Sequence, residues 1–189
     1  PPPTPPPTPP PPPPPPPLFF HFFIILREIE RSRPLQLLGA SEDEELSLAC
    51  ASLVGACGKW AADDAYAQAG VTLPRDEIAV AEVHDCFTPT ELVLMEDLGF
   101  SDPGQAWRDV LDGAFRLDGR LPVNSDGGLK AFGHPVGASG LRMLYEIWLQ
   151  LRGEAPEERR IADHGRKLGL VHNLGGYPGE MVSFVGIYG

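Results

Sequence analysis

Hydrophobic positions along this chain follow two periods, and each predicts its own kind of element. Ile78–Val83 is a continuous run of small and β-branched residues, the pattern of a strand buried on both faces, whereas Pro34–Ala40 alternates apolar and polar residues as a short half-buried strand does. Lys167–Asn173 and Met181–Tyr188 read as two more strands joined by the glycine-rich Leu174–Glu180, a finish that suggests antiparallel edge strands on a mixed sheet. Arg120–Asn124 reads as a further strand, leading into a glycine-rich loop. Helical spacing takes over elsewhere. Leu46–Gly58 is rich in small residues and predicts a helix or turn packed closely against a neighbour. Lys59–Ala69 is alanine-rich, with Trp60, Ala61, Asp64, Ala65 and Gln68 at helical intervals, Asp63 and Asp64 turned to water and Gly70 as its stop. Thr88–Leu98 predicts a helix capped by Thr88 or Thr90, with Glu91 in capping-box register and Gly99 as terminator. Leu141–Leu151 puts Leu141, Leu144, Tyr145, Trp148 and Leu151 on one stripe, which predicts the side facing the core. Ser101–Pro122 is a surface excursion with one short helix, and Gly153–His164 a charged, exposed stretch.

The first 33 residues break this pattern. Pro1–Pro17 is proline interrupted only by Thr4 and Thr8, which cannot pair into a helix or sheet and is an extended polyproline II rod, read as a solvated tail. SH3-like or profilin-like partners bind such rods, but specificity-setting neighbours are missing here. Leu18–Leu26 is apolar and aromatic, yet far short of the ~20 residues that cross a bilayer as a helix. With no basic stretch before it and no small-residue cleavage site after it, it reads as a sticky, non-native segment and not as a signal peptide. The chain therefore divides into a low-complexity tail, residues 1–33, and one domain, residues 34–189.

Composition narrows the function classes. With 189 residues, 42% of them apolar, there is enough material for one domain with a core. A net charge of −11 with no basic cluster beyond Arg159-Arg160 and Arg166-Lys167, read as solvating a helix or loop, argues against a nucleic-acid partner. Cys50, Cys57 and Cys86 have no paired spacing and suit free thiols in a reducing compartment; no zinc or calcium ligand spacing is present, so no metal is expected. The terminal Ile-Tyr-Gly is not a peroxisomal address, and the cytoplasm is the expected location.

The candidate chemistry lies in three places. Asn124–Gly140 holds five glycines and one proline and runs at once into a helix, so something approaches this backbone closely. His134 stands between Gly133 and Pro135, which suits a donor aimed at one point; a turn histidine satisfied by nearby carbonyls fits equally. Ser139 is placed to satisfy an amide at the start of the following helix. His84-Asp-Cys-Phe87 lies between a strand and a helix, where Cys86 is either an acid/base or nucleophile candidate or a buried strand-end thiol. His172 is better read as a strand histidine bonded within the sheet than as a catalytic group.

Taken in order, His84-Asp-Cys-Phe87, the loop from Asn124 through Gly-His-Pro to Gly140, and His172-Asn-Leu-Gly-Gly176 resemble the C-terminal domain of the thiolases, above all the sterol-carrier-protein-type branch and its bacterial acetyl-CoA acetyltransferase relatives. The likeness covers about residues 34–189. It implies an α/β fold, with a mixed five-stranded sheet carrying helices on both faces. It also implies an acyl-CoA acyltransferase, working by thiolysis of 3-ketoacyl-CoA or by Claisen condensation, with the coenzyme A thioester as substrate and no further cofactor. By the same resemblance His134 donates to the thioester oxygen, His84 stands where many thiolases have a water-holding asparagine, and Cys86 is the acid/base. Asn173 occupies the place of the cysteine that other thiolases carry on the last glycine-rich loop. Gly175 or Gly176 supplies an oxyanion-hole N–H, and Gly133 and Phe87 border the substrate. The resemblance departs in one respect: no counterpart of the half bearing the nucleophilic cysteine is present. A fragment that needs a thiolase N-terminal half, or a homodimer partner, is therefore expected. The alternatives are a non-catalytic, degenerate module and a thiolase-like aldolase using Tyr177, against which the retention of Cys86 counts.

Overall fold

A computed structural model describes residues 23–28, 58–177 and 180–189, with side chains for 58–176 and 182–189. The expectations for Pro1–Pro17, for the Pro34–Ala40 strand and for nearly all of Leu46–Gly58, including Cys50 and Cys57, lie outside these residues.

Strand β1 (Phe23–Glu28) pairs antiparallel with β4 (Glu180–Tyr188), β4 pairs antiparallel with β3 (Leu168–Tyr177), and β3 pairs parallel with β2 (Ile78–Glu82). The sheet order is β1-β4-β3-β2. Three expectations are corrected by this arrangement. The sheet has four strands among the described residues and not five: where Arg120–Asn124 was expected to form another, only Val123 bridges to Ala81. Pro122 has no N–H to donate and Asn124 turns to φ 52°, so the pairing stops after one residue. β3 and β4 are interior strands, because β1, which begins in the second half of the apolar segment read from sequence as sticky and non-native, covers the far side of β4.

Both faces of the sheet carry helices. The first face packs against α1 (residues 58–69) and α3 (Thr88–Asp97), in a core of Ala61, Ala65, Tyr66, Ile78, Leu94, Phe100, Leu170 and Val185. Alanines on the inner side of α1 let the helix approach closely, and the Tyr66 hydroxyl donates to Leu98 O at 2.8 Å. The second face packs against α6 (Ser139–Leu151), through Val80, Leu129, Met143, Ile147 and Val171. Each fully buried aliphatic or aromatic side chain in these layers contributes roughly 1.5–3 kcal/mol. Between α1 and β2 lies the short α2 (Pro74–Glu77), which leads directly into β2; α4 (Ala106–Leu111), α5 (Gly128–Ala131) and a 3₁₀ turn (Glu157–Arg159) complete the order.

The ends of the helices show where local rules hold and where they yield. Gly99, at φ 69°, closes α3, with Phe100 N–H bonded to Met95 O and Gly99 N–H to Glu96 O, as a left-handed glycine stop requires. The capping box does not form. The N-cap of α3 is Phe87, and Glu91 instead accepts a hydrogen bond from Asn124 Nδ2 at 3.0 Å, tying the helix to the glycine-rich loop. Ser139 caps no amide either; its hydroxyl serves Pro135 and His134. The predicted face of α6 is also corrected. Leu141 and Tyr145 are 71% and 60% exposed, and the buried side is Met143, Glu146, Ile147, Leu149 and Gln150. Paired polar groups occupy part of that inner face, so hydropathy alone points the helix the wrong way.

Candidate active site

The parallel pairing of β2 with β3 builds the site. Glu82 lies opposite Val171, and two residues further along each strand stand His84 and Asn173. Their side chains meet, with His84 Nδ1 2.5 Å from Asn173 Oδ1. That oxygen also accepts the backbone N–H of Leu174 at 3.0 Å. The third member comes from the loop before α6: the ring of His134 lies edge-on to that of His84, with centroids 5.1 Å apart and planes at 86°. His134 Nδ1 is 2.7 Å from Ser139 Oγ, which donates to Pro135 O at 3.1 Å. His84 is buried and His134 is open to solvent, so the pair is accessible from the loop side.

The loop is held in place by the residue next to His84. Asp85 is buried, and its carboxylate accepts the amides of Leu129 at 2.6 Å and Lys130 at 3.4 Å, within the first turn of α5. Gly128 is required here on two counts. Its φ is +64°, and a Cβ would come 2.4 Å from Asp85 Oδ2. Asn124 adds a second tie, accepting the Val83 N–H at 2.8 Å. Below the loop Glu82 accepts the Ser125 N–H at 3.0 Å, and Arg142 of α6 reaches both Glu82, at 3.2 Å, and Asp126. Arg142 also lies 5.2 Å from the centroid of the Phe132 ring, two residues before His134.

Burial, together with the nearby His134, lowers the proton affinity of His84 below that of a free imidazole, against the opposing effects of the Asn173 bond and Asp85. The neutral ring is therefore favoured, as a group that takes up and returns a proton requires. His172 is different. It is fully buried in β3, bonded through Nε2 to Ser183 Oγ at 3.1 Å, and burial pushes its pKa down to about 3. The strand reading of His172 holds.

Cys86 is partly buried and packs against the Val80, Leu129 and Met143 side of the core. Phe87 is 67% exposed beside Lys130, whose ammonium lies 5.8 Å from its ring centroid. Gly133, at φ 112°, precedes His134 in the loop, and Gly175 and Gly176 are exposed near the end of β3. The side chain of Tyr177 is outside the described residues. Sequence reasoning brought His84 and His134 to one site but missed the anchoring role of Asp85 and the bond of Asn173 to His84. Asp85 carried one readable signal, a carboxylate between a strand and a glycine-rich loop. Among the described residues no group of histidine, cysteine and carboxylate side chains has the arrangement of a metal site, and no helix is long and apolar enough to cross a membrane.

Residues 39–186 match the family described as thiolase C-terminal domain-like. The chain belongs to this family. Acetyl-CoA acetyltransferase of Methanothermobacter thermautotrophicus is 46% identical over 119 residues, covering 63% of this chain and 30% of that protein. Human sterol carrier protein 2 is 44% identical over 117 residues, covering 62% of this chain and 20% of that protein. Among solved structures, a chain of the Ltp2-ChsH2(DUF35) aldolase superposes with a TM-score of 0.51 at 28% identity, covering 70% of this chain and 31% of that one. The thiolase C-terminal fold and the resemblance drawn from the three motifs are thus borne out, while the chain spans less than a third of the length of these relatives.

Proposed function

We propose that this chain is the C-terminal half of a thiolase-type acyl-CoA acyltransferase, active when joined by the half that carries the acyl group on its nucleophilic cysteine. The observation that carries this reading is the meeting of His84, from the end of β2, with His134, from the Gly-His-Pro loop. Two imidazoles at that distance can hold a thioester oxygen and move one proton, which is what the reaction needs. In the condensing direction a base removes the α-proton of an acyl-CoA, and an N–H donor stabilises the enolate oxygen. The α-carbon then attacks the carried acyl group, and the cysteine thiolate of the other half leaves. Thiolysis is the reverse, with the thiol of coenzyme A receiving the acyl group in the last step. Cys86 is assigned the acid/base role, Gly175 or Gly176 the second oxyanion donor, and Gly133 and Phe87 the border of the acyl-CoA. The thioester itself supplies the reactive group, so no other cofactor is invoked. The acetyl-CoA acetyltransferase relatives support this reaction class.

The outer face of α6 supports the need for a second half. Leu141 and Tyr145 on this face, and Val136 at 81% exposure and Phe132 at 58% in the loop before it, are apolar side chains open to solvent that a second half would cover. An aldolase reading has one observation in its favour, the solved aldolase chain.

The test is thiolysis of acetoacetyl-CoA by the chain alone and after mixing with the N-terminal half of a related acetyl-CoA acetyltransferase. Turnover only in the mixture, lost on His134→Ala or His84→Ala, supports the proposal; turnover indifferent to both substitutions overturns it. Cys86→Ala sharpens the assignment, since unchanged thiolysis removes Cys86 from the mechanism. Association without turnover would favour a non-catalytic module. Cleavage of a 3-hydroxyacyl-CoA that survives Cys86→Ala would favour the aldolase.

A further inference from the structure

The amide of Asn173 determines where the proton lies on His84. Asn173 Oδ1 receives the backbone N–H of Leu174 at 3.0 Å, and a backbone N–H can only donate, so the atom at that position is the carbonyl oxygen and not the amino group. Its other end, Nδ2, faces Gly140 at the start of α6, where even an added Cβ would stand 3.2 Å away. A flipped amide would set an NH₂ group against the Leu174 N–H. The same Oδ1 lies 2.5 Å from His84 Nδ1. An amide oxygen has no proton to give, so the proton between the two atoms belongs to Nδ1.

We propose that Asn173 is a positioning residue that locks His84 as the Nδ1–H imidazole, leaving Nε2 with a lone pair. In the neutral ring Nε2 accepts a proton, and it becomes a donor only after taking one. His84 is then the base of the histidine pair, and it can stabilise an oxyanion only as an imidazolium. The ionisable groups around it are His134 from the loop, Asp85 next to it in the chain and His172 in β3. Burial, and after it His134, hold the imidazolium back, whereas the Asn173 bond and Asp85 favour it. The lock also gives a physical purpose to an asparagine where other thiolases carry a cysteine. The chemical use of the lock rests on the acyltransferase reading above, but its geometry does not.

Long-range ¹H–¹⁵N correlation of the histidine rings in the full chain, labelled with ¹⁵N, tests it. The expected spectrum gives His84 a pyrrole-type Nδ1 and a pyridine-type Nε2 when neutral. Asn173→Leu should release the ring towards the Nε2–H form. Asn173→Asp keeps both acceptor contacts, so it should keep the tautomer while raising the titration midpoint of His84 by about one unit or more, because a carboxylate then faces the imidazolium. An Nε2–H ring in the unsubstituted protein overturns the proposal, and so does an unchanged tautomer in a folded Asn173→Leu variant. If the leucine variant does not fold, the aspartate variant decides: no rise in its midpoint overturns the lock. These signals need no turnover. A lock that holds in an enzymatically inert mixture would leave this inference standing and remove the acyltransferase reading, and an active mixture with an Nε2–H ring would do the reverse.

Discussion

The two sides of α6 are built against expectation, and in opposite ways. Its inner side carries Glu146 and Gln150, almost wholly buried, beside Met143 and Ile147, while its outer side presents Leu141 and Tyr145, and Tyr145 stacks on Trp148 at 5.8 Å. Inside, most of the polar groups pair with one another, with Arg142 Nε and Nη2 left without a partner among the described residues. Arg159 reaches Glu146 at 3.0 Å, Gln150 donates to Glu146 at 2.8 Å, and Arg142 joins Glu82 and Asp126. Buried charges persist only when paired and hydrogen-bonded in this way. Outside, Leu141 and Tyr145 stay largely exposed, with only the Tyr145–Trp148 stack and Arg152 over Trp148 at 5.0 Å to shield the rings. The inner side holds the histidine-bearing loop to the sheet, and the outer side has the character of a surface meant to be covered.

The sharpest way to break this comparison is on the inner side. Arg142→Ala leaves Glu82 and Asp126 facing each other without their cation, and should cost about 3–5 kcal/mol in urea unfolding. Met143→Ala, which only empties apolar space, should cost about 2–5 kcal/mol, whereas Leu141→Ala two residues away should stay within about 0.5 kcal/mol. If Leu141→Ala proved as costly as Met143→Ala, the assignment of the two faces would be wrong.

A third test reads the buried carboxylate through pH. Burial, followed by the charge of Asp126, raises the proton affinity of Glu82 well above that of an ordinary glutamate, with Arg142 opposing. Below the ordinary glutamate range Glu82 is protonated in folded and unfolded chains alike, and its contribution is complete. As the pH rises past about 4.5 the unfolded chain ionises and the folded one resists, so this contribution is lost at up to about 1.4 kcal/mol per pH unit until the folded carboxyl also ionises. Other carboxylates add their own slopes, so the readout is the difference from Glu82→Gln: wild-type stability should fall relative to the variant as the pH rises from 4.5. An identical pH dependence in the two proteins would mean that the carboxylate is not held in the dry environment described.

How much of this was legible in the sequence follows from what each element depends on. Ile78–Val83 and the two C-terminal strands could be read because they are buried in the sheet, and burial on both faces writes itself directly into residue type. The stop of α3 at Gly99 could be read because only local backbone geometry is involved. The orientation of α6 could not, since its inner face depends on partners such as Arg159 and Ser125 that spacing within the helix does not reveal. The same holds for Thr88 and Glu91, where Asn124, 33 residues further along the chain, outcompetes the local cap. His84 and His134 were brought to one site by motif resemblance. The bond from His84 to Asn173 spans 89 residues and depends on the parallel register of β2 and β3, which no local pattern encodes. In Leu18–Leu26 an apolar run carries no sign of its partner, so β1 was missed.

The smallest expected effect on the chain itself completes the comparison. Replacing Tyr145 and Trp148 together by serine removes the stacked aromatic pair from the outer side of α6 without touching the buried ion pairs. Stability of the isolated chain should change by about 0.5 kcal/mol or less at the exposed Tyr145 and by about 1 kcal/mol at the half-buried Trp148, which Arg152 also covers. Association is where the pair should count. Aromatic residues near the centre of an interface commonly contribute about 2 kcal/mol or more each, so the double variant should bind the complementary thiolase half at least tenfold more weakly in a titration followed by sedimentation. A larger loss of stability in the isolated chain would show that these rings already serve the fold. Unchanged stability with unchanged binding would place the second half on some other surface, and the outer side of α6 would need a different explanation.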